Sequence, residues 1–435
     1  MKTYKQSTKL LASAKAVITL FLSLPGEGRI ANVVRRVEGL SEGDVRACLD
    51  ITMANFANRH RNLQQTFWQH FHSAAAPAGP LAGFSDQKKL LLGAFFTKEY
   101  SIQSAALFNP SIVPHPDQQN LKPGQLRFVM SLRATGEGHI SSIVFQTGLV
   151  DSAGNVSLDA PTGYFTRLQK KSAAPADAAA AVDASAPADA TSDTNYDLED
   201  SADIPLNEKV IFPSAAAESM GMEDVRFVKF EAEGRACFYG TYTAYDGKQI
   251  RTQLIETEDF SSFRVRALSG AAIADKGMAL FPEKLNGKYV MISRQGGEKI
   301  NIMFSDSLYR WDNYQALMEP KYTWELIQLG NCGSPIKTDK GWLLLTHGVG
   351  IMRTYVISAI LLDLKDPTKI IGRLDQPFIE ADDLEREGYV PNVVYTCGLL
   401  KHGDLLLIPY AVSDSATGFI TLSLNELIEQ LCQKK

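Results

Sequence analysis

From Gly83 almost to its C-terminus, this sequence is a succession of short apolar runs rich in Phe, Val, Ile and Tyr and broken by Gly, Asn, Asp and Pro. Phe128 to Leu132, Ile140 to Phe145, Ala236 to Thr243, Gln253 to Glu256, Tyr289 to Ser293, Trp342 to Thr346, Tyr355 to Leu362 and Leu405 to Tyr410 each have the length and residue types of a strand. Strands in regular succession, without long helices between them, restrict the fold to an all-β sandwich, barrel or propeller. A turn followed by an apolar strand recurs at Gly287–Ile292, Gly341–Thr346 and Gly403–Tyr410. The recurrence, roughly 55 to 60 residues, suits one multi-stranded blade per repeat and favours a propeller.

Two regions depart from this pattern. Between Ser41 and about His72, apolar residues (Val45, Cys48, Leu49, Met53, Phe56, Leu63, Phe67, Phe71) recur mostly at spacings of three, four and seven, which predicts two amphipathic helices. Ser41-Glu42-Gly43-Asp44 reads as a capping box with Asp in place of Glu or Gln. From about 172 to 194 the sequence is almost entirely Ala, Asp, Pro, Ser and Thr, too poor in apolar surface to offset its ordering entropy, which predicts a disordered surface insertion. Ser423 to Leu431 reads as a last helix. The expected organisation is a largely helical segment over 1–85 that serves as an oligomer contact, a β domain over 86–422, and a C-terminal helix over 423–435.

With 45% hydrophobic and 21% charged residues among 435, the composition is that of a globular protein. A net charge of -5 offers no basic footprint for nucleic acid or anionic lipid. The five cysteines, Cys48, Cys237, Cys332, Cys397 and Cys432, lack CxxC spacing and read as reduced thiols of a cytoplasmic protein. The apolar Ala16–Leu22 follows Lys15 and precedes Pro25-Gly26-Glu27-Gly28-Arg29, with no small-x-small cleavage site, so it reads as a short strand or helix of the mature protein. No window reaches the uncharged length that spans a bilayer. Gly-rich nucleotide cradles, HExxH and nucleophile-elbow serines do not occur, so neither a metal nor a cofactor is expected.

The chemistry is concentrated at Gly221-Met222-Glu223-Asp224-Val225-Arg226. Two adjacent carboxylates beside an arginine suit a site in which one acid is oriented while the other reacts. Strand alternation sends neighbouring side chains to opposite faces, so Glu223 and Asp224 serve one substrate only if the backbone turns there. Asp224 is the better candidate for the reacting carboxyl. Read alone, the same residues also fit a surface ion pair.

Several segments in order, Phe108-Asn109-Pro110-Ser111, Ser131-Leu132-Arg133-Ala134, Gly221–Arg226, Tyr242–Asp246, Asp275–Pro282, Thr346-His347-Gly348-Val349, Glu387–Val393 and Tyr410–Asp414, together resemble glycoside hydrolase family 130, the β-mannoside phosphorylases and related β-mannosidases. The likeness covers about residues 90 to 425. It implies a five-bladed β-propeller with an N-terminal helical extension, an active site at the central channel and a homo-oligomer. It also implies an inverting cleavage of β-mannosides by phosphorolysis to α-mannose 1-phosphate, with inorganic phosphate as co-substrate. Asp224 falls at the family's proton donor, whose proton in several phosphorylases travels through a sugar hydroxyl. Asp414 falls at a residue that holds the sugar at the non-reducing subsite, and Asn109, Glu223 and Arg226 are grouped with it as substrate-binding. Residue 225 is Val where the family usually has Pro.

Phosphorolysis needs fixed donors that neutralise a dianion and aim one oxygen at the anomeric carbon. Arg133, Arg251, Lys276 and His347 match the family's basic positions, with Tyr355 beside them. Each has a plainer reading: Arg251 as a solvated strand-end charge, Lys276 as a partner of Asp275, His347 as a core histidine. Where many phosphorylases carry a second arginine, this chain has Gly138-His139-Ile140-Ser141-Ser142. That departure keeps open an inverting β-mannosidase, with Glu137 as candidate base or as an exposed turn glutamate. A non-catalytic carbohydrate-binding propeller is the third reading.

Overall fold

The structure, a computed structural model, describes residues 1–26, 28–78, 81, 83–171, 194–199, 204–232 and 234–433. The insertion expected at 172–194 therefore lies, except for Thr194, outside the described residues. The chain divides into two compact units: Ser13–Ser104 with Pro161–Arg167, and the remainder.

The smaller unit is mainly helical. Its helices span Arg29–Glu38, Glu42–Phe56, Leu63–Ala78 and Asp86–Phe95, and the strand Val17–Phe21 pairs antiparallel with Thr97–Ser101. The Ser41 box forms with its aspartate, since Ser41 Oγ accepts from the Asp44 N–H at 3.2 Å and satisfies an orphan donor of the first turn. Gly93 lets two helices meet, because a Cβ there would lie 1.8 Å from the Phe67 carbonyl oxygen. Two of these helices escape sequence reading. Arg29–Glu38 begins after Gly28 with no side-chain cap. Asp86–Phe95, capped by Ser85, carries a continuous Leu90-Leu91-Leu92 run that looks strand-like.

The larger unit consists of antiparallel strands in consecutive groups. The first group contains Ala106–Pro114, Leu126–Thr135, Ser141–Val150 and Val156–Leu158. The second contains Gly221–Ala232, Arg235–Tyr245, Ile250–Thr257 and Phe263–Ala267. Ala279–Leu280, Tyr289–Ser293, Ile300–Ser305 and Gln315–Met318 form the third. Gln328–Asn331, Trp342–Val349, Tyr355–Leu362 and Ile370–Arg373 form the fourth. In the fifth, Val394–Tyr395, Leu405–Val412 and Ala416–Ser423 are completed by Tyr4–Lys5 from the other end of the chain. The C-terminal helix spans Leu424–Gln433.

Core layers are shared between successive groups. Phe145 packs with Phe227, Phe238 and Phe260; Phe230 with Met291 and Trp311; Ile302 with Trp342 and Ile360; Leu345 with Leu406 and Ile420. A further cluster joins Ala106 and Phe108 of the first group to Tyr395 and Ala411 of the fifth. Burying these aromatic and branched side chains on both faces of each group is the main stabilising term, about 1.5–3 kcal/mol per fully buried side chain. Among the described residues no helix is long and apolar enough to cross a membrane.

The inner strands depart from regular pairing where the site lies. The Ala106–Pro114 ladder slips between Phe108 and Ser111, and the Gly221–Ala232 ladder between Glu223 and Arg226. Across these bulges the Phe227 N–H donates to Ser111 Oγ at 2.9 Å, and Ser111 is buried. Ser111→Ala orphans that buried donor, and equilibrium urea unfolding is expected to show a loss of about 1–3 kcal/mol.

Candidate active site

The turn that Glu223 and Asp224 require is present. Asp224 has φ 53°, in the left-handed region, within the bulge, and both carboxylates reach the same guanidinium. Arg133 donates from NH2 to Glu223 Oε1 at 2.6 Å, from NH1 to Asp224 Oδ1 at 3.2 Å, and from Nε to Ser141 Oγ at 2.9 Å. Its guanidinium lies 5.0 Å from the centre of the Phe108 ring. Asn109, also left-handed at φ 48°, donates from Nδ2 to Asp224 Oδ1 at 2.6 Å. Arg226 holds the backbone of the bulge, donating from NH1 to the Asp224 carbonyl at 2.9 Å and from NH2 to the Tyr395 hydroxyl at 2.5 Å.

Burial pushes the Asp224 carboxyl upward, but the charges of Arg133, Lys276 and Arg226 and the Asn109 hydrogen bond outweigh it and hold the pKa at about 2. Asp414 is pulled the other way. Burial and then the negative charge of Asp224 push it up to about 6, against Arg133, Arg353 and Lys276. It sits in the tight turn between Leu405–Val412 and Ala416–Ser423, where Ser413 (φ 45°) and Asp414 (φ 49°) are both left-handed. Two carboxyls in one site with pKa values driven apart are characteristic of acid–base centres.

Lys276 lies 3.9 Å from Glu223 Oε2, while Asp275 is occupied in accepting the Gly296 N–H at 2.7 Å. His347 is 1% exposed, and burial with the charges of Arg294 and Arg226 holds its pKa well below the ordinary imidazole range. Arg294 NH1 stands 3.3 Å from His347 Nε2. A guanidinium only donates, so Nε2 accepts and the proton resides on Nδ1. Tyr355 stacks on this imidazole at 5.7 Å and 18°, its hydroxyl accepting from Gln328 Nε2 at 3.1 Å. Arg251, in contrast, is exposed, pairs with Ala244 across the ladder and is not among the main groups shifting Asp224 or Asp414. Glu137 is exposed in a short helical turn, and Ser142 is buried against the Ala134 carbonyl.

Arg294, Asn331 and Tyr395 belong to the same constellation and were not found from sequence. A Cβ on Gly277 would lie 3.8 Å from Arg294 Nε and 3.9 Å from both Arg226 NH2 and Asn331 Oδ1, so these polar groups converge beside Lys276. Asn109 Oδ1, Arg226 Nε, Arg294 Nε and Asn331 Oδ1 are buried without a hydrogen-bond partner. Such groups are uncommon in folded proteins and suit a ligand rich in hydroxyls or negative charge. The available signal was positional: Arg294 closes the strand Tyr289–Ser293 just before a Gln-Gly-Gly turn. Among the described residues no cluster of three or more His, Cys, Asp or Glu is placed to hold a metal.

Residues 193–433 match the family model described as beta-1,4-mannooligosaccharide phosphorylase. The chain belongs to glycoside hydrolase family 130. It is thus an enzyme, a glycoside phosphorylase or related glycoside hydrolase. This family 130 chain is 34% identical over 229 residues to a 1,2-beta-oligomannan phosphorylase of Thermoanaerobacter sp. (strain X514), covering 51% of this chain and 75% of that relative. A beta-1,2-mannobiose phosphorylase of the same strain is 35% identical over 217 residues, covering 49% of this chain and 70% of the relative. The solved beta-1,2-mannobiose phosphorylase from Listeria innocua superposes with a TM-score of 0.53 at 19% identity, over 75% of this chain and 92% of that one, a likeness of fold.

The electrostatics of Asp414 in the family 130 enzyme give a stability prediction. A carboxyl whose folded pKa of about 6 exceeds the unfolded value of 3.8 costs nothing below pH 4, where both states are protonated, and costs most above pH 6. Asp414→Asn is therefore expected to stabilise the protein at pH 7.5, by up to about 3 kcal/mol, with the gain vanishing below pH 4. Thermal unfolding of parent and variant across that range checks it, and equal melting temperatures at pH 7.5 would refute it.

Proposed function

We propose that this enzyme cleaves β-mannosides with inversion by phosphorolysis, releasing α-mannose 1-phosphate, with Asp224 as proton donor. The observation that carries this reading is the charge balance around Asp224. Arg133, Lys276 and Arg226 hold its carboxyl at about 2, so at neutral pH the resting site contains a carboxylate and a surplus of cations. A dianion bound beside Lys276 and Arg294 would share that positive charge, weaken its hold on Asp224 and raise the acid toward the range where it donates a proton. Phosphate then acts twice, as nucleophile at the anomeric carbon and as the charge that primes the acid. The phosphorylases among its relatives point to the same co-substrate and substrate class.

Within this reading, the Arg133 fork orients Glu223 and Asp224, Asn109 fixes the rotamer of Asp224, and Asp414 accepts hydroxyls of the mannosyl unit. Neutral His347 and Tyr355 buttress Arg294 and do not themselves supply positive charge. A five-bladed propeller accommodates the arrangement, and it is supported by the five strand groups and their shared core layers. A cavity of about 310 Å³ is lined by Val113 of the first group, Phe227 of the second, and Pro282, Ile336 and Leu399 from the segments that follow Ala279–Leu280, Gln328–Asn331 and Val394–Tyr395 in the third, fourth and fifth, as expected for one mouth of a central channel. Homo-oligomerisation remains part of the proposal through family resemblance, and a cytoplasmic location through the reduced-thiol reading of the five cysteines.

Hydrolysis is the second reading, favoured by the exposure of Arg251 and the absence of a second arginine near Ser142. Incubating β-mannobiose with and without inorganic phosphate separates the two. Phosphorolysis predicts mannose 1-phosphate, with negligible free-sugar release in phosphate-free buffer at pH 7; equal turnover without phosphate overturns it. Asp224→Asn is expected to lower kcat by at least about 10³-fold. Lys276→Met is expected to raise the KM for phosphate at least about tenfold, with a smaller effect on the KM for the sugar.

A further inference from the structure

The turn that carries Asp414 is held from outside the site. Ser413 Oγ donates to the Glu385 carbonyl at 2.5 Å, the Ser413 N–H to the Val393 carbonyl at 2.7 Å, and the Val390 N–H to the Ser413 carbonyl at 3.0 Å. Gly388 lies so close that a Cβ would stand 2.5 Å from the Ser413 carbonyl oxygen. The segment from Asp382 to Val393 is therefore a clasp whose shape fixes two consecutive left-handed residues, a conformation unfavourable for serine unless its surroundings impose it.

The clasp has one buried charge. The side chain of Glu385 is 2% exposed, and its Oε1 accepts the hydroxyl of buried Tyr410. Its Oε2 lies 2.6 Å from Lys5 Nζ, which also meets Asp382 at 2.7 Å. Lys5 belongs to the short strand that pairs with Ala416–Ser423, opposite Ile420, on the strand that leaves the Asp414 turn. Burying a carboxylate beside a second carboxylate is unfavourable without a cation, and Lys5 is the cation paired with both. Its ammonium is in turn held charged: burial lowers its pKa, but the hydrogen bonds to Asp382 and Glu385 raise it further.

We infer that Lys5, by neutralising Glu385, is a positioning residue that sets the placement of Asp414 and so the binding of the mannosyl unit, although it touches no reacting atom. Without Lys5, the buried Glu385 carboxylate loses its compensating cation and turns toward solvent, the Asp382–Val393 clasp loosens, and Ser413 loses the carbonyl that holds it. Asp414 then moves relative to the charged groups that face it: Asp224 and Arg133 on neighbouring strands, Arg353 in the turn before Tyr355, and Lys276. The inference rests on the reading of Asp414 as a sugar-binding carboxylate.

The test compares Lys5→Met, Lys5→Arg, Lys5→Met combined with Glu385→Gln, and Asp414→Asn, assayed with β-mannobiose and inorganic phosphate between pH 4.5 and 8. Lys5→Met is expected to raise the sugar KM about tenfold while kcat changes less than about threefold. Its acid limb in kcat/KM is expected to move down from near pH 6 by at least about half a unit, because a loosened Asp414 is better solvated and farther from Asp224. Lys5→Arg and the double variant, which remove no compensation or remove the charge that needs it, are expected to retain the parent KM and pH profile. Parent-like KM and acid limb in a folded Lys5→Met protein overturn the inference. So does a double variant as impaired as the single one, a comparison that stands even if Lys5→Met alone folds poorly. If Asp414→Asn keeps the parent sugar KM, the reading of Asp414 fails; if Asp414→Asn is impaired and Lys5→Met is not, only the role of Lys5 fails.

Discussion

The contact between Arg133 and the two carboxylates of Glu223 and Asp224 organises the site. A planar guanidinium offers donors in fixed directions, and here three are used, on Glu223, Asp224 and Ser141, while the flat face rests near Phe108. One group thus ties the first strand group to the second and dictates where the two acids stand. Lysine could supply the charge but not the fork. Because the groups are largely withdrawn from water, each member depends on the others: an unpaired charge there would be unfavourable.

That contact also explains why the backbone is irregular where the chemistry is. A regular strand would place Glu223 and Asp224 on opposite faces, so sharing one arginine requires the bulge. Around the bulge, side chains bond the backbone: Arg226 donates to the Asp224 carbonyl and Ser111 Oγ accepts the Phe227 N–H. Local strain is held in place by packing on all sides, the usual condition for its survival at a functional site.

Much of the architecture was legible because alternation and burial coincide. Tyr289–Ser293 and Tyr355–Leu362 were located to the residue, and the C-terminal helix to within two, because their apolar patterns have a single structural solution. Arg29–Glu38 and Asp86–Phe95 were not, since one lacks a capping side chain and the other presents a run of leucines without clear periodicity. In the site, Glu223, Asp224 and Arg226 announce themselves because they are adjacent in sequence. Asn109 and Arg133 could be assigned only through ordered family motifs, since their meeting with Asp224 spans 115 and 91 residues of chain. Arg294 offered only a positional signal and Asn331 none, because what brings them into the site is convergence on Gly277. Arg251, placed in a motif by the same resemblance, stands exposed on its strand.

Asn109, Asp224, Asp275, Asn392 and Asp414 have left-handed backbones, as do Ser413 and Arg353 near the site, and Asn or Asp predominates among them. These side chains tolerate that region because they are short and hydrogen-bond locally, and the proposed function assigns three of them, Asn109, Asp224 and Asp414, to the sugar and the proton. Backbone demand and chemical demand thus select the same residue types at the same positions. It follows that alanine replacements at these sites would mix two effects, loss of chemistry and strain at a positive φ, whereas exchange between Asp and Asn preserves the turn and changes only charge and proton. The pull on Asp224 and the push on Asp414 are therefore separable from the fold that creates them, and the amide exchange is the substitution that separates them.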